Sequence, residues 1–252
     1  MDLTRRLALA AGSFGLAAML AIPTPAFGQS QGDGFLFRQP QGSMTLRLGV
    51  ARPFATGDPF SDFSSNLTLS SSSYTAFDVG GDLAFTVAPR LDLVFSGGWQ
   101  GSSAPSEMRK WLDANNQPIR QTTTLQRVPV TVSLKWYLGS RGRSVGRFVW
   151  VPSSGIVPYV GAGGGLMYSR LHQWGNFVGT DTVIYSDAYA SESWTGTVHA
   201  FAGAELPLGP RIVLSAEARY AYAKTALGPD FQGFGDMNLS GLSVTLGLGV
   251  RF

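Results

Sequence analysis

His172 and His199 are the only histidines in the chain, so a relay of serine, imidazole and carboxylate would have to be built on one of them. His199 lies between Val198 and Ala200, has no serine two residues on, and shares the polar face of its segment with charged residues. His172, in Arg170-Leu171-His172-Gln173-Trp174, falls at the end of its segment, an ordinary solvated position. Neither setting points to catalysis. Cysteine is absent, which removes disulfides, thiolate zinc sites and thiol nucleophiles. Gly161, Gly163, Gly164 and Gly165 invite comparison with a phosphate-cradling loop, but that chemistry needs a strand running into a helix. Here the glycines alternate with Val160, Ala162 and Leu166 inside one strand, so they read as a thin wall beneath bulky neighbours. Asp181, Asp187 and Glu192 are too loosely spaced to define a cation site. No cofactor and no resident metal is expected.

The background against which these residues stand is unusual. Of 252 residues only 14% are charged, where soluble domains carry about 25%, while 32 are glycine. A net charge of +3 leaves no basic surface of the kind nucleic acid demands, and nucleic acid is excluded as an expected partner. Residues 1–28 read as a secretory signal: Arg5 and Arg6 lead an apolar stretch over 7–22, closed by small residues at 26 and 28. After position 28 no stretch is long and apolar enough for a membrane-spanning helix.

The rest of the chain alternates with period two between turn signals. Strands are predicted over 44–56, 74–88, 91–101, 125–139, 158–174, 194–206, 212–226 and 239–252. The connections alternate in length: 88–91 and 208–211 are tight, whereas 57–73, 102–124, 175–193 and 228–238 are long. The connection over 140–157 breaks this rule, and Phe148 and Trp150 are expected to fold it against the rim of a barrel. Its basic run Arg141, Arg143, Arg147 reads as a solvated turn or a contact to anionic headgroups.

Arg47, Asp78, Asp82, Asp92, Lys135, Glu205, Glu217, Arg219 and Arg251 share a face with Gly, Ser and Thr, and the opposite face is apolar through the middle of every strand. A lipid-facing cation at mid-membrane costs about 2–4 kcal/mol, so this sorting predicts charges paired within a narrow lumen, with His199 among them. Glu217 and Arg219 stand two residues apart on one face. A last hairpin centred on Gly233 would set Arg251 diagonally across from Glu217, and symmetry about the 207–211 turn would set His199 opposite Arg219. Aromatics sort by strand end into two interfacial girdles. Phe54, Phe77, Trp99, Tyr168, Trp194, Tyr220 and Tyr222 gather at the long-loop end, and Phe85, Trp136 and Phe252 at the other.

The segment 239–252 (LSGLSVTLGLGVRF) resembles the C-terminal signal of bacterial outer-membrane proteins, while VPVTVSLKWYLG at 128–139 and PYVGAGGGL at 158–166 resemble strands of the superfamily that includes OmpA-like, OmpX-like and OmpW-like proteins. The resemblance implies recognition of Leu248, Val250 and Phe252 by the barrel-assembly machinery, with outer-membrane lipid and lipopolysaccharide as further partners. The expectation is an all-β, eight-stranded antiparallel up-and-down barrel over 44–252, preceded by a signal at 1–28 and a periplasmic segment at 29–43. Its expected role is non-enzymatic, structural or recognition through loops, in the outer membrane of a diderm bacterium. The rival, carried by the OmpW-like resemblance, is a passive channel for small or hydrophobic molecules. No extracellular ligand can be read from the loops.

Overall fold

The structure, a computed structural model, describes residues 34–113, 115–179 and 182–252; the expected signal at 1–28 lies outside the described residues. Eight long strands dominate: β2 (Gly42–Pro53), β3 (Ala76–Ala88), β4 (Leu91–Leu112), β5 (Pro118–Tyr137), β8 (Val157–Val178), β9 (Ile184–Pro207), β10 (Ile212–Thr225) and β12 (Gly241–Arg251). Each pairs antiparallel with its neighbour in the chain, and β12 pairs with β2 through Leu246↔Leu48, which closes the ring. The ring has no free edge, so every strand finds backbone partners on both sides.

Alternation fixes which way each residue points. In β12 the sequence GLSVTLGLGVR alternates buried and exposed without a break, and the exposed positions are Leu242, Val244, Leu246, Leu248 and Val250. Gly, Ser, Thr and Arg251 face the lumen. The glycines of β8 permit close packing there. Gly161 faces Phe201 across the β8–β9 pair and Tyr159 faces Gly203, so each inward ring lies over a residue without a side chain. A Cβ at Gly161 would stand 2.3 Å from the Phe201 ring.

Two segments expected as loops are strand. The 102–124 connection continues β4 and β5 to a tight turn after Leu112, and 175–193 continues β8 and β9 to a turn between Val178 and Ile184. The other two long connections fold inward. The first contains α1 (Asp58–Asn66), opened by Pro59 within its first turn, and a 3-10 turn at Ser71–Tyr74. The other contains a 3-10 turn at Pro229–Phe231 and β11 (Met237–Asn238), and Asn238 Nδ2 donates to Thr56 Oγ1 at 2.9 Å to tie the two together. At the opposite end, 140–157 is a small hairpin of β6 (Gly142–Val145) and β7 (Val149–Pro152), with β1 (Leu36–Phe37) added as a third strand. Trp150 is buried under this cap; Phe148, expected against the rim, is exposed.

Candidate functional site

The lumen is sealed at three levels. At the short-turn end Glu205 accepts from Lys135 Nζ at 2.6 Å, from Arg251 Nη2 at 3.1 Å and from Tyr137 Oη at 2.8 Å. Asp92, fully buried, accepts from Arg141 Nη1 at 2.8 Å. Lys135 Nζ stands 3.7 Å from the centroid of the Tyr159 ring, and Tyr137, Tyr159 and Phe201 pack edge to face across the bore.

At mid-height Arg47 Nε lies 2.6 Å from Asp82 Oδ2, which is also flanked by Ser96 Oγ bonding Oδ1 at 2.6 Å. Arg219 grips Glu217 Oε1 through two nitrogens at 2.8 and 3.1 Å, and Gln100 Nε2 donates to Asp78 at 2.8 Å. Ser133 Oγ and His199 Nε2 lie 2.8 Å apart. A cavity of about 30 Å³ lies among these groups.

Above them the bore turns apolar. Phe60, Phe63, Leu67 and Leu69 from the first inward connection, with Phe231, Met237 and Leu239 from the last, meet Leu125, Met167 and Leu171 on the inner wall. Tyr74 lies in this stopper, and burial pushes its phenol up from the ordinary value.

The outer surface is the inverse of a soluble protein's. Leu246 is 62% exposed and Val244 58%, whereas Arg47, Asp92 and Arg251 are 6% exposed or less. Soluble monomers keep apolar patches to about 300–600 Å²; here the apolar band runs around the whole circumference. Phe54, Phe77, Trp99, Trp194, Tyr220 and Tyr222 lie on its upper border, joined by Tyr168, which packs on Trp194 with centroids 5.4 Å apart. Phe85, Trp136 and Phe252 lie on its lower border. Trp99 stands eight residues above Leu91, the register partner of Trp136, which is about 27 Å along the strand and about 21 Å along the normal at a tilt near 40°. Next above the Tyr168–Trp194 pair on the outer face, Arg170 and Glu192 form an ion pair at 3.2 Å, placing charge where water resumes.

The outside solvent of this barrel is lipid. No protein-family model matches the sequence, and no curated protein matches it. Among solved structures the chain is similar to Neisserial surface protein A, at 13% identity over 88% of this chain and 100% of that one, with a TM-score of 0.46. It is also similar to the outer membrane protein OprG of Pseudomonas aeruginosa, at 12% identity over 84% and 97% of the two chains, TM-score 0.46. The outer membrane protease OmpT of Escherichia coli is similar at 10% identity over 86% and 95%, TM-score 0.34. The closed register and the inverted burial, and not these likenesses, establish the barrel.

Two pairings differ from expectation. The last hairpin is centred on 231, with Ile212 opposite Val250, so Arg251 lies beside Glu205 and far from Glu217. The β9–β10 hairpin sets His199 opposite Ala221, and Arg219 faces Phe201, its guanidinium 5.0 Å from that ring. Two lumen cations were missed. Arg127 is buried and donates to the Leu239 carbonyl at 2.7 Å, a position that strand parity with Thr131 and Lys135 already marked. Arg141 comes from the 140–157 connection, where no periodicity told it from a solvated turn. His172 faces outward on the upper part of β8, stacked on Trp174 at 4.8 Å between centroids. Among the described residues no three potential metal ligands converge.

Proposed function

We propose that this chain is a non-enzymatic protein of the outer membrane of a diderm bacterium, a closed barrel that does not conduct and that acts through the structures it carries above the membrane. The observation that carries the reading is the filled bore: ion pairs at two levels, aromatic rings between them and an apolar stopper above. Enzymatic work finds no support in the histidines, one enclosed in the lumen and one stacked on an indole.

The two projecting hairpins support a role in recognition. From Tyr168 to Val178, β8 runs ten residues beyond the girdle, about 34 Å of strand. The tip regions expose Trp111, Leu112, Ile184 and Tyr185 beside Arg109 and Lys110, a mixture suited to contact with another surface. In this reading the outer wall meets outer-membrane lipid and lipopolysaccharide, and Leu248, Val250 and Phe252, which face outward on β12, are offered to the barrel-assembly machinery. Residues 34–43 and the small hairpin then lie on the periplasmic side, residues 29–33 of the expected periplasmic segment lying outside the described residues.

Planar-bilayer recording of the refolded full chain tests the sealed bore. A conductance indistinguishable from the bare bilayer is expected. Stable single-channel steps would overturn the sealed reading in favour of passive passage.

A further inference from the structure

The short-turn end holds a cavity of about 280 Å³ between the small three-stranded cap and the barrel wall. It is far larger than the mid-lumen gap. Its lining includes Arg90, Arg141, Arg251, Ser43, Ser140 and Trp150, and no carboxylate. Arg251 is 5% exposed, and one fork of its guanidinium, Nη2, is held by Glu205 at 3.1 Å. The other, Nη1, is buried without a hydrogen-bond partner. A buried guanidinium nitrogen left unpaired is costly, and Nη1 has almost no accessible surface of its own, so an acceptor in the cavity meets it only when the side chain shifts toward the cavity.

The surroundings have the matching sign. Arg38, Arg143, Arg147 and Arg211 stand at the same end as the three lining arginines and Lys135, against only two acidic side chains, Asp92 and Glu205, among the described residues. Glu205 is engaged with Lys135, Arg251 and Tyr137, and Asp92 with Arg141 through Oδ2, its Oδ1 being buried without a hydrogen-bond partner. Arg251 lies 5.7 Å from the Trp150 ring and Arg141 4.4 Å from the Tyr137 ring, which holds both guanidinium planes in place at the cavity wall.

From this geometry we infer that the cavity at the short-turn end is a binding site for a phosphate-class oxyanion, lined by the guanidinium groups of Arg251 and Arg141 within and met by exposed Arg90 at the rim. Planar guanidinium forks suit the oxygens of a phosphate or phosphate ester, and the volume admits more than the bare ion. Two sources share this chemistry: a small phosphorylated solute and the headgroup of an anionic phospholipid. The site does not depend on which way the barrel sits in a membrane, so it stands or falls apart from the proposed function.

The test is calorimetric titration of the full chain, folded in a non-ionic detergent at fixed ionic strength, with inorganic phosphate, with glycerol phosphate and with micelles doped with phosphatidylglycerol. Arg251→Lys keeps a cation against Glu205 but loses the planar guanidinium, and is expected to weaken binding about tenfold, the scale of one charged hydrogen bond. Arg90→Gln, on an exposed side chain that threatens no packing, is expected to weaken it several-fold. Arg143→Gln, outside the cavity, is expected to leave affinity within about twofold. Saturable binding of the soluble anions with this ranking supports a solute site; saturable binding of the doped micelles alone, with the same ranking, supports the site with a lipid headgroup as its source. Absence of saturation with every probe, or equal losses in all three variants, would show only a diffuse basic surface and overturn the inference.

Discussion

Glu205 holds Lys135, Arg251 and Tyr137 at once, and its side chain is almost wholly out of solvent. Removing its charge would strand two buried cations, so Glu205→Gln is expected to lower unfolding stability in detergent by about 3–5 kcal/mol, read from denaturant midpoints. Glu107 and Arg120 form the opposite case, an ion pair at 3.3 Å with side chains 43% and 76% exposed. There Glu107→Gln is expected to cost under about 1 kcal/mol. His172 belongs to the same water-facing region; burial and the neighbouring Arg170 hold its imidazole below the ordinary 6.5. Because the folded state binds that proton less readily than the unfolded one, stability falls as pH drops below about 6.5 and is fully kept above it. An NMR titration of the His172 ring should show its midpoint below that of a model imidazole, and a midpoint above it would contradict the stacked setting. Residue identity was enough to place most lumen charges, since parity assigns a face. It was not enough to pair them: moving the hairpin centre from 233 to 231 shifts every β10 partner by four residues, which carries Arg251 down the strand away from Glu217 and leaves it to pair with Glu205 on β9.

At the level of the strand, β8 and β9 show why the barrel's glycines are not interchangeable. A Cβ at Gly163 would lie 2.2 Å from the Val132 carbonyl oxygen, a backbone atom that cannot turn aside. At Gly196, on the outer face of β9, the same atom would meet nothing within 4 Å. Gly163→Ala is therefore expected to destabilise by about 1–3 kcal/mol while Gly196→Ala is tolerated, checked in parallel denaturant titrations. Strands were legible where one face meets lipid and the other a polar bore, because the two solvents impose opposite residue types. Above the girdle both faces of β4, β5, β8 and β9 can meet water or protein, alternation fades, and Ser- and Thr-rich chain such as 102–106 and 122–124 reads as loop although it is paired strand. The inward fold of the first connection had a faint signal in Phe60 and Phe63, three apart on α1 and both buried, but nothing local says that the surface they need lies inside the barrel.

For the molecule as a whole, everything depends on closure. The seam between β12 and β2 joins the last strand to the first barrel strand by register pairs from Gly241↔Pro53 to Arg251↔Ser43, and it is formed across almost the entire described chain. Without it, β2 and β12 would each present an open edge to hydrocarbon, where no water can satisfy the unpaired amides and carbonyls. The cap strand β1 carries no such duty: it pairs only with β7 in the small sheet outside the ring. Two deletions separate these roles. A chain lacking 241–252 is expected to give no compact species, migrating alike before and after boiling in a gel. A chain lacking 34–38 should keep the mobility shift of an intact barrel and lose only the cover over Trp150. If the first deletion still yields a heat-sensitive compact band, the ring is held by something other than its seam, and the opposition of lipid-facing leucines to lumenal charges would need another scaffold.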